Sequence, residues 1–158
     1  MEELIRFRHD LHRYPEISGE EKLTASKVKH FLEQFGPDRI VENIGGTGLI
    51  AEFTGEKPGH SLLFRCELDA LPIPEINDLS YRSKHRDKGH LCGHDGPMDM
   101  VAGLGYFMKE NRPEKGRVLL LFQPAEETGT GAEKMILDPK FKDFEPDMVF
   151  AIHNLPAF

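Results

Sequence analysis

The sequence is poor in several features that mark particular classes of protein. Only two of its 158 residues are cysteines, Cys66 and Cys92, so a fold held together by disulfide bonds is not expected. No apolar run approaches the roughly 20 residues that a membrane-spanning helix needs, and residues 1–3 lack the basic and apolar regions of a secretion signal. We therefore predict a cytoplasmic protein in which Cys66, within an apolar stretch, is a small core residue.

Positive charge is also in deficit. The chain has 20 Lys and Arg residues against 27 Asp and Glu residues, and its net charge of −7 disfavours nucleic acid or an anionic membrane as a partner. It has no P-loop or complete dinucleotide fingerprint, so Gly129-Thr130-Gly131 is interpreted as a flexible turn. A serine nucleophile elbow is missing too. The length and the apolar fraction of 39% fit one ordinary globular domain with a buried core.

Helical periodicity is clear near the amino terminus. Apolar residues spaced along residues 2–14 predict a helix that Pro15 ends. Ser18 and Glu21 have the spacing of a capping box, which predicts Ser18 as the N-cap of a second helix. That helix is expected to stop at Gly36-Pro37.

The later part of the chain alternates strands and helices. Short β-like runs occupy residues 39–44, 48–54, 61–66, 117–122 and 147–152, and helices are predicted from about Pro97 to Lys109, with Asp95 or Gly96 as cap, and over residues 131–137. From Ser61 onward the order is strand, loop, helix, strand, helix, strand. We therefore predict an α/β fold, with a mainly parallel sheet flanked by helices.

Polar side chains follow the strands of this sheet at the points where the strands end. Glu67 and Asp69 follow one strand, Glu126 and Glu127 follow the next, and His153 follows the last. Ligands of open α/β sheets bind beyond the carboxyl ends of the strands. The position of these residues therefore predicts a common site.

Cys92-Gly93-His94-Asp95 places a thiol, an imidazole and a carboxylate within four residues. Thiolate and imidazole suit zinc and other late divalent metals, and Asp95 is a candidate for orienting the imidazole. The alternative is a helix-capping loop with incidental polar residues. Adjacent residues on an irregular backbone point apart, so one of Glu126 and Glu127 could bind a metal while the other acts as general base. An exposed acidic loop is the alternative for that pair.

The remaining candidates each have a structural alternative. Asp69 is a candidate for orienting a ligand, whereas Glu67 could simply pair with Arg65. His153 closes an apolar strand, where a packed core histidine is the common case, but the neighbouring clusters favour a ligand. Most of the other histidines are expected to face solvent: His9, His12, His30, His60, His85 and His90.

Six segments in order carry a resemblance to a known family. They are residues 8–16 (RHDLHRYPE), 45–48 (GGTG), 65–73 (RCELDALPI), 92–96 (CGHDG), 122–127 (FQPAEE) and 151–154 (AIHN). Together they resemble the M20 family of metallopeptidases, in its aminoacylase, hippurate hydrolase and indole-acetyl-amino-acid hydrolase branch. Pro97 departs from the pattern, because the family usually has His there. We expect that change to affect substrate handling or proton transfer more than metal binding.

The resemblance implies hydrolysis of the amide bond of N-acyl amino acids or related small amides at a centre of two divalent metal ions. By match, the implied metal ligands are Cys92, His94, Glu127 and His153. Glu126 would be the catalytic base and Asp69 a supporting catalytic residue. The implied metal is zinc, with manganese, cobalt or nickel as alternatives.

Family members run to several hundred residues, which sets the expected domain organisation. Residues 1–158 would be the amino-terminal portion of a zinc-peptidase-like catalytic domain, without its carboxyl-terminal part and without the smaller dimerisation or lid domain. We expect the 158 residues alone to bind metal weakly and to hydrolyse little amide. The expected partners are a small-molecule amide substrate and further copies of the chain. Alternatives are an M20-type peptidase acting on peptides and a non-catalytic, metal-binding or self-associating remnant.

Overall fold

The structure is a computed structural model that describes residues 2–154. Its helices are α1 (Glu2–Arg13), α2 (Lys22–Glu33), α3 (Asp95–Met108) and α4 (Gly131–Leu137), followed by a 3-10 helix (Pro139–Phe144). Its strands are β1 (Arg39–Ile44), β2 (Gly48–Thr54), β3 (Lys57–Glu67), β4 (Lys115–Gln123) and β5 (Met148–Ala151). None of the helices in this range has the length and apolar character needed to cross a membrane.

The five strands form one sheet in the order β1-β2-β4-β3-β5. β3 pairs in parallel with both β4 and β5, as the alternation of strands and helices predicted. β1 and β2 extend the sheet with antiparallel pairs: β2 pairs with β4, and β1 pairs with β2. The short turn at residues 45–47 allows only a hairpin between β1 and β2. The α/β fold class is therefore confirmed, with a parallel part that contains the ends of β3, β4 and β5.

The core has two halves, one on each face of the sheet. Successive side chains of a strand point to opposite faces, so Leu120 and Phe122 pack under α1, α2 and α3, whereas Leu119 and Leu121 pack beneath α4 and the 3-10 helix. Because both faces of β4 are buried, its residues 118–122 form an unbroken apolar run. Cys66 lies fully buried in the first half, as expected, and both cysteines are free.

The start of α2 differs from its prediction. The helix begins at Lys22 with Glu21 as its N-cap, and no side chain caps it. The Ser18 hydroxyl instead donates a 2.6 Å hydrogen bond to Asp69 Oδ2, and Glu21 Oε1 accepts from Gly19 N. The capping-box prediction was therefore wrong, because tertiary partners take the groups that would have capped the helix.

α3 also begins slightly earlier than predicted. His94 is its N-cap and Asp95 its first residue, so neither Asp95 nor Gly96 is the cap. Pro97 is the third helical residue, where its missing N–H removes no intrahelical hydrogen bond. This start places His94 at the point where the loop before α3 meets the edge of the sheet.

Candidate metal centre

The carboxyl ends of β3, β4 and β5 bring the predicted site residues together. Asp69 lies two residues after β3, Glu126 and Glu127 lie in the loop after β4, and His153 lies two residues after β5. The loop that precedes α3 adds Cys92 and His94. The ligand atoms form two groups that share His94: Cys92, His94 and His153 in one, and His94, Glu126 and Glu127 in the other, with the atoms of each group within 4.8 Å of one another.

His94 is the centre of the cluster and is almost completely buried. Its Nδ1 lies 2.7 Å from the carbonyl oxygen of Asp69, so Nδ1 carries a proton, and in the neutral ring Nε2 has the free lone pair. Nε2 lies 3.7 Å from Glu126 Oε2 and 3.8 Å from Glu127 Oε1. Within residues 2–154, neither Nε2 nor Glu127 Oε1 has a hydrogen-bond partner.

Cys92 and His153 also lie beside His94. Cys92 Sγ lies 3.6 Å from His153 Nε2, and the His94 and His153 rings meet edge to face with centroids 5.4 Å apart. Asn154 ties the two segments together, since its Nδ2 donates a 2.6 Å hydrogen bond to the carbonyl oxygen of Gly93. The cluster thus offers a sulfur, two nitrogens and carboxylate oxygens, and this donor set fits a late divalent metal such as zinc.

The pKa shifts in the cluster reflect crowding of negative charge. Burial, followed by the hydrogen bond and charge of Glu127, raises the pKa of Cys92 to about 12. A thiolate there would face the carboxylates of Glu126 and Glu67 as well. Cys92 therefore ionises readily only when a cation occupies the cluster.

Asp69 has the opposite character. Burial alone would raise its pKa, but His94, whose Nδ1 lies 3.7 Å from Oδ1, and hydrogen bonds from Ser18 and the backbone of the Glu126–Glu127 loop lower it to about 2. For His94 burial has the opposite effect and would lower the pKa, but the interactions with Asp69 outweigh burial and raise that pKa. Asp69 thus stays ionised and holds both a histidine and the backbone of the Glu126–Glu127 loop.

Glu126 and Glu127 do not point apart. Both carboxylates lie within 4 Å of the same nitrogen of His94, so the expectation of divergent side chains was wrong. Their exposure does differ, at 34% for Glu126 and 20% for Glu127. Glu126 is therefore the more accessible of the two to a molecule arriving from solvent.

Asp95 does not orient His94, contrary to the prediction. Its Oδ2 instead accepts hydrogen bonds from Arg8 Nε at 3.0 Å and from His12 Nδ1 at 3.1 Å. His12 Nε2 contacts Glu75 Oε1 at 3.1 Å, so His12 is buried between two carboxylates. The structural alternative for Glu67 is observed, since it pairs with Arg65.

Sequence reasoning missed several buried polar residues near the cluster. His12 and His90 are buried, although most of the scattered histidines were expected to face solvent. Glu21 was assigned only to a helix cap, yet its carboxylate accepts a hydrogen bond from Ala125 N. The one available signal was that His12 lies in the family-like segment 8–16; Glu21 lies outside every such segment.

An α/β sheet with sulfur, nitrogen and oxygen donors at the ends of its parallel strands defines a domain with a candidate metal site. The family model for peptidase family M20/M25/M40 matches residues 63–157. The chain therefore belongs to that family, as its motifs indicated.

Known relatives agree with this assignment. The chain is 41% identical over 155 residues to the N-acetyl-L-cysteine deacetylase of Bacillus subtilis, and the match covers 98% of this chain and 36% of that protein. It is 37% identical to the hippurate hydrolase of Campylobacter jejuni, with 98% of this chain and 40% of that protein covered. The chain thus spans well under half the length of these relatives.

A solved structure supports the fold. The YXEP protein of Bacillus subtilis, a dinuclear metal binding peptidase from the M20 family, superposes with a TM-score of 0.89 at 36% sequence identity. The superposition covers 98% of this chain and 43% of that one. The arrangement of strands and helices described above is therefore the arrangement found in a solved member of the family.

Proposed function

We propose that this chain contributes the metal centre and the general base of an enzyme that hydrolyses the amide bond of N-acyl amino acids. The observation that carries the proposal is the unpartnered, buried Nε2 of His94, which faces both carboxylates of the Glu126–Glu127 pair. A metal-dependent hydrolytic site needs a carboxylate that can act as base beside the atoms that bind the ion. The deacetylase and hydrolase names of the similar proteins supply the substrate class.

Four residues would hold the metal: Cys92, His94, Glu127 and His153. The dinuclear site named for the similar YXEP protein supports two ions. Zinc suits the mixed sulfur, nitrogen and oxygen donors, and manganese, cobalt or nickel are the alternatives. When bound, such ions supply Lewis acidity and lower the pKa of water.

The side chains of this chain would share the remaining work. Glu126 would take a proton from the attacking water and return it to the departing amine, in keeping with its greater exposure. Asp69 would act as a positioning residue, because its backbone carbonyl accepts from His94 Nδ1 and its carboxylate accepts a 3.0 Å hydrogen bond from Glu127 N.

The rest of the proposal concerns the whole protein. Because the relatives are more than twice as long as this chain, we propose that the 158 residues correspond to the amino-terminal portion of their catalytic domain.

Self-association is supported by β5, a strand at the sheet edge whose Met148, Val149 and Phe150 are exposed. A second candidate function, hydrolysis of peptides, is favoured by the peptidase name of the similar YXEP protein.

A chimera tests the activity directly. This chain would replace the matching 155-residue region of the N-acetyl-L-cysteine deacetylase, and the purified, zinc-loaded chimera would be assayed on N-acetyl amino acids, hippurate and dipeptides. We expect turnover of the acyl amino acids, and we expect Glu126→Gln to reduce it by at least ~100-fold, the lower range for a general base, with metal content unchanged. A metal-loaded, folded chimera that cleaves only dipeptides would favour the second function, and one that cleaves nothing would refute both.

A further inference from the structure

Glu21 is a fully buried carboxylate that reaches the Glu126–Glu127 loop from 104 residues away in the sequence. Its Oε1 accepts 2.8 Å hydrogen bonds from Ala125 N and from Gly19 N. Its Oε2 accepts a 2.6 Å hydrogen bond from the Thr47 hydroxyl. Glu21 therefore joins the loop before α2, the turn between β1 and β2, and the loop after β4.

The bond to Ala125 falls at a strained point of the backbone. Ala125 has φ of +48°, one of two positive values among the non-glycine residues that the structure describes. Residues with a Cβ avoid this region unless the surrounding structure holds them in it. The carbonyl oxygen of Ala125 is held as well, by Gly131 N at 3.1 Å. Glu21 thus stabilises a conformation that the chain would not adopt by itself.

A second carboxylate acts on the other side of Glu126. Asp69 Oδ2 accepts from Glu127 N at 3.0 Å, so buried carboxylates hold the peptide N–H groups of the residues immediately before and after Glu126. The direction of the Glu126 and Glu127 side chains towards His94 depends on this stretch of backbone. Displacements of about 1 Å in such a stretch cost up to ~100-fold in rate when the residues are catalytic.

We propose that Glu21 is a positioning residue for the metal-binding and base carboxylates, acting through the backbone at Ala125. Glu21 is not a member of either group of candidate ligands. The inference deepens the proposed function and rests on it for the roles of Glu126 and Glu127. The hydrogen bonds that carry it are independent of that function.

Two substitutions separate the length of the Glu21 side chain from its negative charge. Glu21→Asp withdraws the carboxylate by one methylene, which removes the bond to Ala125 N but keeps a local acceptor for Gly19 N. Glu21→Gln keeps the length. Its carbonyl oxygen can accept from both N–H groups while its amide donates to the Thr47 hydroxyl. Matched controls are Glu20→Asp, at an exposed neighbour, and Thr47→Val, which removes only the contact with Oε2.

Amide hydrogen exchange on the metal-free, isotope-labelled chain is the first measurement. We expect exchange at Ala125 to be about 10-fold faster in Glu21→Asp, which corresponds to the loss of one intramolecular hydrogen bond, and unchanged in Glu21→Gln and the controls. The second measurement is zinc affinity by competition with a chelating dye. Glu21→Asp should bind about 10-fold more weakly, as for other losses of support behind a ligand.

The outcomes distinguish this inference from the proposed function. Wild-type exchange at Ala125 in a folded Glu21→Asp variant would overturn the positioning role, as would faster exchange with unchanged zinc affinity. If the wild-type chain binds no zinc, the proposed function fails, and the role of Glu21 in holding the loop is decided by exchange alone. Loss of protection in Glu21→Gln equal to that in Glu21→Asp would also contradict the role, because the longer variant retains the acceptor.

Discussion

Stability should fall between neutral pH and pH 4 because of one buried histidine. His90 is 3% exposed, and among residues 2–154 neither of its ring nitrogens has a hydrogen-bond partner. Burial lowers the pKa of His90 to about 4, and the charges of His12 and His94 act in the same direction against the opposing charge of Asp95. The folded protein therefore holds His90 neutral at a pH where the unfolded chain would protonate it.

The sign and the magnitude follow from linkage. The unfolded pKa is 6.5 and the folded pKa is about 4, so the unfolded chain binds more protons between these values. The contribution of neutral His90 to stability is present above pH 6.5 and is lost as the pH falls to 4. At about 1.4 kcal/mol per pH unit, the loss is about 3 kcal/mol.

Urea unfolding of the metal-free chain at pH 7.5, 6, 5 and 4 measures this loss. His90→Leu removes the titrating ring without removing a hydrogen bond, so the free energy of unfolding should fall by about 3 kcal/mol less over this range than in the wild type. His85→Leu, at an exposed histidine, is the matched control and should retain the wild-type pH dependence. Parallel pH profiles for His90→Leu and the wild type would refute the reasoning.

Three further substitutions test the packing and the support of the site. Phe122→Ala empties a fully buried position under α1–α3 and should lower the free energy of unfolding by about 3–5 kcal/mol in urea titrations; a loss below ~1 kcal/mol would contradict the described core. Gly131→Ala would place a Cβ in steric overlap with the carbonyl oxygen of Pro124, so the loop after β4 must shift. Thermal unfolding should then occur at a lower temperature, which an unchanged midpoint would disprove. Asp69→Ala leaves the backbone carbonyl that holds His94 Nδ1 but removes the carboxylate that accepts from Ser18 and Glu127 N, and it should reduce zinc affinity by about 10- to 100-fold, measured by calorimetry; wild-type affinity would argue against that support.

The extent to which sequence anticipated the structure depended on the range of the interactions. The alternation of strands and helices and the polar residues after β3, β4 and β5 are local patterns, and they located both the parallel part of the sheet and the cluster at its edge. The roles of Ser18 and Asp95 could not be predicted in this way. Their partners, Asp69 and Arg8, lie 51 and 87 residues away, and those contacts replaced the local capping and orienting roles.

The same limit applied to the loop after β4. The sequence located Glu126 and Glu127 at a strand end, but their common direction depends on the positive φ of Ala125. That conformation is held by Glu21, a contact between segments that no spacing along the chain reveals. Local patterns therefore predicted which residues meet, and tertiary hydrogen bonds determined how they face one another.

We propose that a divalent metal is bound by Cys92, His94, Glu127 and His153. X-ray absorption at the zinc edge tests it most directly, on the zinc-loaded chain and on Cys92→Ser. The wild type should show a sulfur neighbour at about 2.3 Å, averaging one per two zinc ions when both sites are filled, together with nitrogen and oxygen neighbours at about 2.0–2.2 Å, and the sulfur should vanish in Cys92→Ser. A zinc shell of nitrogen and oxygen alone in the wild type, unaltered by the substitution, would contradict the claim.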